Sequence, residues 1–243
     1  LNTDSAQGGA SDYTFDSNLG WGKGGDSSAW QSWMWKRHAG FDVVAAEGTG
    51  VARQIPHSLN KPVEMIWAKK RSGSDNWVVG HKGLDGGTAP WTHYLSLNLN
   101  IAEGDDAGAW NDTAPTSTHF SVGTWNEVND DGEDFLYLLF ASVSGISSVG
   151  SYSGSSNSQT ITVGFQPRFI IIKRYTNSRD WVVLDTVRGI GTGSGDDKAL
   201  YLNSTTDQEN QNFLDLTSTG FTLNADLQDV NKSGESYIYY AHA

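Results

Sequence analysis

Residues 167–184 read PRFIIIKRYTNSRDWVVL, and residues 62–80 read PVEMIWAKKRSGSDNWVVG. Each stretch contains an apolar run that ends in lysine, a polar turn, and a second run that opens with tryptophan and two valines. The same number of residues separates Lys69 from Lys173 and Trp77 from Trp181. Short runs rich in β-branched and aromatic residues, interrupted by polar turns, predict neighbouring antiparallel strands.

The similarity continues on both sides of these stretches in the same order. The further corresponding pairs are Gly40 and Gly145, Leu97-Asn98 and Leu202-Asn203, Phe120 and Phe221, and Asn129 and Asn231. A repeat of roughly 100 residues is a whole domain, because solenoid and propeller repeats span about 20 to 50 residues. The sequence therefore predicts two tandem domains, copy 1 at residues 38–143 and copy 2 at residues 144–243.

Residues 1–37 match neither copy along their whole length. Residues 30–36, WQSWMWK, resemble the aromatic stretches that end the two copies at 135–141 and 237–243. This predicts an N-terminal strand segment, interpreted as the end of a preceding copy. Trp30, Trp33 and Trp35 would expose much apolar surface if free. We expect the segment to dock on copy 1 or, alternatively, on a neighbouring subunit. The chain starts at Leu1 rather than Met, which predicts a fragment, a processed product or the ordered part of a longer protein.

The composition is typical of a turn-rich, all-β protein. The chain contains 28 Gly, 10 Trp, 9 Tyr and 9 Phe, and only 18% of its residues are charged. No long stretch shows an apolar period of 3.6 residues, which argues against long amphipathic helices. We therefore predict two tandem antiparallel β-sandwiches of a jelly-roll or lectin-like type.

Charge and cysteine content exclude several function classes. A net charge of −12 and a pI near 4.7 oppose binding to the phosphates of nucleic acid. The longest apolar run, residues 135–141, is far short of the roughly 18 residues that a membrane-spanning helix needs, so no membrane insertion is expected. Because the chain has no cysteine, disulfides and thiolate metal sites are excluded. No cofactor is expected.

The loop at residues 85–93, DGGTAPWTH, supplies the candidates for ligand contact. Copy 2 has no aromatic residue in the corresponding loop, so Trp91 has no repeat partner. Contact residues concentrate on loops that a shared framework holds in place. Trp91, with His93 and Tyr94, is therefore predicted to contact a ligand or a subunit. The alternative interpretation is that Trp91 only packs against its own domain.

A cluster of carboxylates gives the only candidates for a metal site. Asp130, Asp131 and Asp134 are of the residue type that Ca²⁺ prefers. Copy 2 replaces the first two with Lys232 and Ser233 but keeps the Asn and Gly of a tight turn, so we expect a β-turn and no metal. No Gly-x-Ser-x-Gly, His-Glu-x-x-His or phosphate-loop motif is present, and no catalytic residue is predicted.

The repeated pattern resembles a domain of bacteriophage virion proteins that often occurs in tandem in tail-fibre-like chains. The resemblance lies in GFQPRFIIIK at 164–173, DWVVLDTVRG at 180–189, LYLNST at 200–205 and residues 231–243. Copy 1 departs from the pattern, with LNKP at 59–62 and HKG at 81–83. The resemblance implies a non-enzymatic structural protein of the virion, an extracellular particle. It would be a tail fibre or appendage module that contacts the host surface, including its glycans, or other virion proteins. By analogy with fibres, it implies a homo-oligomer, with a trimer as the first expectation.

Two other functions stay open at this point. One is an enzyme that degrades polysaccharide with two carboxylates brought together from distant positions. The other is a carbohydrate-binding module on a β-sandwich, which would use exposed aromatic rings as sugar platforms.

Overall fold

The structure is a computed structural model that describes residues 3–7, 33–190 and 195–243, together with the backbone of two strands at 13–17 and 20–23. The strands, in chain order, are β1 (Tyr13–Ser17), β2 (Gly20–Lys23), β3 (Phe41–Glu47), β4 (Arg53–Pro56), β5 (Met65–Lys70), β6 (Val78–His81), β7 (His93–Ser96), β8 (Gly104–Asp105), β9 (His119–Val122), β10 (Asp134–Phe140), β11 (Ser147–Ser153), β12 (Gln159–Thr162), β13 (Phe169–Arg174), β14 (Trp181–Asp185), β15 (Asp197–Tyr201), β16 (Glu209–Gln211), β17 (Leu214–Thr217), β18 (Gly220–Leu223) and β19 (Ser236–His242). The helices among the described residues are α1 (Ala107–Trp110), α2 (Asn126–Asn129) and two 3₁₀ turns at Leu84–Gly87 and Pro90–Thr92. No described helix is long and apolar enough to cross a membrane.

Each copy builds one six-stranded antiparallel sheet, and the strand order is the same in both. The order is β3-β10-β5-β6-β7-β8 in copy 1 and β11-β19-β13-β14-β15-β16 in copy 2. Two smaller sheets, β4-β9 and β12-β18-β17, accompany them. The prediction of an all-β fold made of antiparallel sheets is confirmed.

Successive residues of the central strands point to different cores. In β5, Ile66 and Ala68 pack in a core with Phe120 from the small sheet of copy 1. Met65 and Trp67 point to the opposite face and pack in another core. This alternation is the normal consequence of a strand's two-residue period. The small sheet therefore covers one face of the large sheet, and something else must cover the other.

The other faces of the two large sheets pack against each other in what we call the shared core. Its buried members are Phe41, Met65, Trp67, Val79, Leu84, Leu95, Leu97 and Phe140 from copy 1, with Val149, Phe169, Ile171, Tyr175, Trp181, Val183, Leu202, Ile238 and Tyr240 from copy 2. The rings of Phe140 and Tyr240 lie 5.0 Å apart between the copies. Trp181 Nε1 donates a hydrogen bond of 3.0 Å to the carbonyl oxygen of Ser96 across the same contact. The two copies thus share a continuous core, and a division into two domains at residue 143 stays a prediction.

The end of the N-terminal segment docks on this shared core. Trp33 and Trp35 pack against it, and the Trp35 ring lies 5.8 Å from Phe140 of copy 1 and 5.7 Å from Phe169 of copy 2. Residues 33–36 are not in a strand, so the predicted strand is wrong at these positions. Their backbone pairs with no strand that the structure describes, and the Trp33 and Trp35 rings pack against the shared core. Trp30 lies outside the described residues.

We expect Trp35→Ala to destabilise the fold by about 2–3 kcal/mol, because the ring would leave apolar surface of both copies uncovered. Met34→Ala is the matched control, since the Met34 side chain next to it is 72% exposed. That control is expected to change stability by no more than about 0.5 kcal/mol. Chemical denaturation of the two variants measures both values. Equal midpoints would show that the segment is not part of the packed structure.

A buried histidine also lies between the copies. His81 is completely buried and accepts a hydrogen bond at Nδ1 from the backbone N–H of Gly83, at 2.9 Å. Its Nε2 lies 3.4 Å from the carbonyl oxygen of Tyr239 in copy 2. The pKa of His81 is lowered from 6.5 to about 3, chiefly by burial and to a smaller extent by the nearby charge of Lys82. The ring is therefore neutral in the folded protein at every moderate pH.

The stability of the fold is expected to fall on acidification because of His81. Between pH 6.5 and about 3, His81 is protonated in the unfolded chain but stays neutral in the folded chain. The free energy of unfolding therefore decreases as the pH falls through this range. The slope is about 1.4 kcal/mol per pH unit. Denaturation of the wild type and of His81→Gln at pH 6.5 and pH 4.5 should differ in their pH dependence by up to about 2.7 kcal/mol. Parallel pH dependences of the two proteins would contradict a buried neutral His81.

Candidate functional site

The repeated Leu-Asn pair fixes the start of the tryptophan strand in each copy. Asn98 Oδ1 accepts a hydrogen bond of 2.9 Å from the backbone N–H of Trp77. Asn203 Oδ1 accepts the same bond, at 2.8 Å, from Trp181. We call residues 97–103 and 202–208, which begin with this pair, the Leu-Asn segments of copy 1 and copy 2. The asparagine anchors each segment to its own copy.

Beyond this anchor, the Leu-Asn segment of copy 1 reaches copy 2 and docks at a buried lysine. Lys173 Nζ donates hydrogen bonds to the carbonyl oxygens of Arg179, at 2.6 Å, and of Asn100, at 3.3 Å. The Asn100 carbonyl also accepts from the backbone N–H of Arg179, at 2.8 Å. Three residues later, the N–H of Glu103 donates to the carbonyl oxygen of Tyr175, also at 2.8 Å. We call the site made by Lys173, Tyr175 and Arg179 the lysine groove of copy 2.

Copy 1 has the corresponding lysine groove, and residues of the N-terminal segment occupy it. Lys69 Nζ donates to the carbonyl oxygens of Asp4 and Asp75, both at 3.0 Å. The Asp4 carbonyl also accepts from the N–H of Asp75, at 3.0 Å, and the N–H of Gln7 donates to the carbonyl of Arg71, at 2.9 Å. Each of these bonds has its counterpart in copy 2. Two chain segments of different origin therefore dock in the same way.

Burial makes these lysines dependent on the segment that they bind. Lys173 has no exposed surface, and burial lowers its pKa to about 7. Burial also lowers the pKa of Lys69. A buried ammonium group needs hydrogen-bond acceptors, and backbone carbonyls of the docked segment supply part of them. Each lysine groove therefore binds an extended segment whose backbone carbonyl oxygen accepts a hydrogen bond from the lysine.

Buried asparagines fix the loops near the other end of each copy. Asn231 is completely buried, and its Oδ1 accepts from the N–H of Ser155 at 2.9 Å. Its Nδ2 donates to the carbonyl of Asn224 at 2.8 Å. In copy 1, Asn129 makes the equivalent bond to the N–H of Thr49, at 3.0 Å. These asparagines hold loops together and do not form the turn itself.

Trp91, the first predicted contact residue, lies in a core. Only 7% of its surface is exposed, and its ring packs edge-on against Trp110 at 6.4 Å. A Cβ at Gly80 would lie 2.8 Å from both rings, so the glycine allows this close packing. The expectation that Trp91 presents its ring from a polar loop is corrected: the ring belongs to the core of copy 1 and has no free face for a ligand.

His93 and Tyr94 lie half-buried beside the Leu-Asn segment. His93 Nδ1 lies 2.7 Å from the hydroxyl of Thr92. The Tyr94 ring packs against Trp125 at 4.7 Å, and burial raises its pKa. Glu103, whose pKa burial also raises, lies close enough to His93 for their charges to interact. These residues support the segment that reaches copy 2.

The three carboxylates considered as weak metal candidates, Asp130, Asp131 and Asp134, do not converge on one point. Asp130 Oδ2 accepts from Lys70 Nζ at 2.9 Å, and Asp131 and Asp134 are exposed. Gly132, with φ +73°, forms the turn between them. Among the described residues, no group of three His, Cys, Asp or Glu side chains could hold a metal ion.

An acidic cluster on copy 2 was not predicted from the sequence. It brings together Asp180, Glu209 and Asp229, with a hydrogen bond from the Tyr201 hydroxyl to Glu209. Burial raises the pKa of Asp229, and the charges of Glu209 and Asp180 raise it further, whereas Arg179 lowers it. Asp180 Oδ1 also accepts from Asn203 Nδ2 at 2.5 Å, so it orients the asparagine that anchors the Leu-Asn segment. Its residues come from three separate parts of copy 2, which is why no local motif marks the cluster.

An open groove lies where the N-terminal segment meets copy 2. This groove has a volume of about 260 Å³, and its lining includes Trp33, Arg168, Phe169 and His242. The guanidinium of Arg188 lies 6.0 Å from the centre of the Trp33 ring. Aromatic faces beside charged donors are suited to contact with a sugar or with another protein surface.

These features define a duplicated, all-antiparallel β protein whose copies are joined by a shared core and by docked segments. The profile of a family described as a domain of unknown function, DUF7483, matches residues 20–243. The chain therefore belongs to this family. No curated protein is significantly similar to it in sequence.

We expect Trp91→Ala to behave as a core substitution. Removal of a buried tryptophan should cost about 3–5 kcal/mol. Val187→Ala is the control, because the Val187 side chain is 78% exposed. Urea denaturation of both variants measures the difference. A Trp91→Ala protein of wild-type stability would restore Trp91 as a candidate contact residue.

Proposed function

We propose that this protein is a non-catalytic structural module of a bacteriophage virion, a tail fibre or appendage component that works as a homo-oligomer. The observation that carries the proposal is the recurrent docking of one segment into the lysine groove of the next copy. Such a contact joins repeat to repeat without a flexible linker. A fold built in this way suits a stiff extracellular appendage.

The use of the repeated polar residues supports a structural role. Asn98 and Asn203 fix strand starts, Lys69 and Lys173 hold docked segments, and the buried asparagines fix loops. Each of these side chains makes hydrogen bonds to backbone groups of the same chain. The residues that both copies share are therefore those that hold the fold together. A duplicated framework of this kind favours an extended or multivalent protein over one with a single reaction centre.

The sequence resemblance supports the assignment to a virion. The apolar strand ending in Lys173 and the tryptophan strand that follows carry the resemblance, and both are central strands of the large sheet in copy 2. Host contact would then fall to surfaces outside the repeated framework.

Cleavage of polysaccharide is the second candidate, and the acidic cluster favours it. A carboxyl with a raised pKa, such as Asp229, can donate a proton, and a neighbouring ionised carboxylate can assist as base or nucleophile. In this case the copy 1 counterpart would be inactive, because copy 1 has Asn76 in place of Asp180.

Immunogold electron microscopy tests the proposed function. Antibodies raised against the purified chain should label an appendage on phage particles from the source culture. Label confined to soluble protein, with unlabelled particles, would contradict a virion role. In parallel, release of reducing sugar from bacterial surface polysaccharide is expected to stay at background. Activity that Asp229→Asn abolishes, while the Asn76→Ala control leaves it unchanged, would establish the enzyme instead.

A further inference from the structure

The segment docked on copy 1 is a third Leu-Asn segment. Residues 1–7 read LNTDSAQ, residues 97–103 read LNLNIAE, and residues 202–208 read LNSTTDQ. Asp4 and Gln7 occupy the positions of Asn100 and Glu103 in this alignment. These are the pairs that make equivalent hydrogen bonds in the two lysine grooves. Sequence and geometry thus agree independently.

The backbone that follows also matches the second half of a copy. Strands β1 and β2 form a short antiparallel hairpin in which Ser17 pairs with Gly20. In copy 2, β17 and β18 form a hairpin in which Thr217 pairs with Gly220. In both cases the hairpin lies between a Leu-Asn segment and an aromatic stretch.

The aromatic stretch completes the correspondence. Trp33 and Trp35 align with the closing strands β10 and β19, and they pack in the same shared core as Phe140 and Tyr240. Three elements of the second half of a repeat therefore occur in residues 1–37 in their proper order. In the part of the chain that the structure describes, the shared core is thus formed by two large sheets and contacted by these two tryptophan rings.

Among the described residues, the Leu-Asn segment of copy 2 is the one that docks in no lysine groove. Residues 205–208 are exposed. Their hydrogen bonds are local: the N–H of Thr206 donates to Ser204 Oγ at 3.0 Å, and Gln208 Nε2 donates to Asn210 Oδ1 at 3.3 Å. Copy 1 and the N-terminal segment each donate such a segment to the copy that follows. Copy 2 has the same segment and presents it to solvent.

We propose that a third copy of this repeat closes the shared core, with residues 1–37 as its second half, and that its lysine groove accepts residues 205–208 of copy 2. The partner surface is thus the first half of a repeat, with counterparts of β3 to β7 and of Lys69. Three copies would then be joined head to tail, and the last would dock on the first, which is how a heterologous contact closes into a ring. This inference rests on the proposed function, because both treat the docked segment as the assembly contact.

The open groove beside Trp33 marks where the third copy would sit. It lies between the N-terminal segment and the ends of β13, β14 and β19, and Phe169 of the shared core lines it. The neighbouring side chains of Met34 and Val187 are 72% and 78% exposed. A third large sheet, whose free face would be as apolar as the other two, would cover this apolar surface.

The test adds the first half of a repeat to the full chain, directly ahead of Leu1. A second copy of residues 38–96 is joined directly to Leu1, so that Ser96 precedes Leu1-Asn2 as it precedes Leu97-Asn98. In this extended chain, Gln208→Cys is combined with cysteine at the added counterpart of Arg71. The natural chain has no cysteine, so a disulfide reports this pair alone. We expect the disulfide to form within a monomer, and the extended chain to unfold at a higher temperature than the original.

Two reference pairs calibrate the result. Gln7→Cys with Arg71→Cys is the positive reference in the original chain, because the backbone N–H of Gln7 donates to the carbonyl oxygen of Arg71 at 2.9 Å and brings the two backbones close together. Gln208→Cys with cysteine at the added counterpart of Val51, an exposed residue, is the negative reference. A disulfide yield no higher than the negative reference overturns the proposal.

A second extended chain controls for misfolding of the added residues. Residues 144–201 of copy 2 are joined to Leu1 in the same manner, since Tyr201 precedes Leu202-Asn203. If neither extension raises the unfolding temperature and both remain sensitive to protease, the third copy does not exist as a docking partner. Virion labelling does not depend on this disulfide, so failure of the inference and failure of the proposed function are distinguishable.

Discussion

Burial of both faces of both large sheets is the constraint on which the rest of the structure depends. Every residue of β5 and of β13 is buried, including the lysines and the arginine at the strand ends. A strand covered on both sides must be apolar at consecutive positions, and any charged group in it needs partners nearby. The lysine grooves meet this need with backbone carbonyls taken from another part of the chain. Sheet packing and segment docking are therefore two parts of one arrangement.

This arrangement is directional, because each docked segment binds the copy that follows it in the chain. Copy 1 donates its Leu-Asn segment to copy 2, and residues of the N-terminal segment are donated to copy 1. The shared core adds a contact in which both copies use the same sheet face. Because donor and acceptor are different surfaces, the contact can be repeated by every further copy. Copies joined in this way need no coiled coil or disulfide to hold them in register.

The candidate site was harder to predict from the sequence than the fold. Trp91 was selected because it lacks a counterpart in copy 2 and stands among polar residues, yet α1 provides Trp110 and buries its ring. The acidic cluster gathers residues that are remote in sequence, so no spacing rule marks it. The lysine grooves did leave a signal, since Leu1-Asn2 repeats Leu97-Asn98 and Leu202-Asn203. Two identical residues are too few to identify a docked segment until its hydrogen bonds are seen.

The sequence by itself determined the all-β class, the duplication and the positions of the central strands, because strand period, turn residues and repeated pairs are local properties of the chain. Only the tertiary structure decided that the second face of each large sheet is covered by the other copy. The reason is physical: apolar residues at consecutive strand positions require burial on both faces, but they do not specify the covering surface. The same holds for Lys69 and Lys173, whose carbonyl partners at Asp4 and Asn100 come within reach only when the copies pack together.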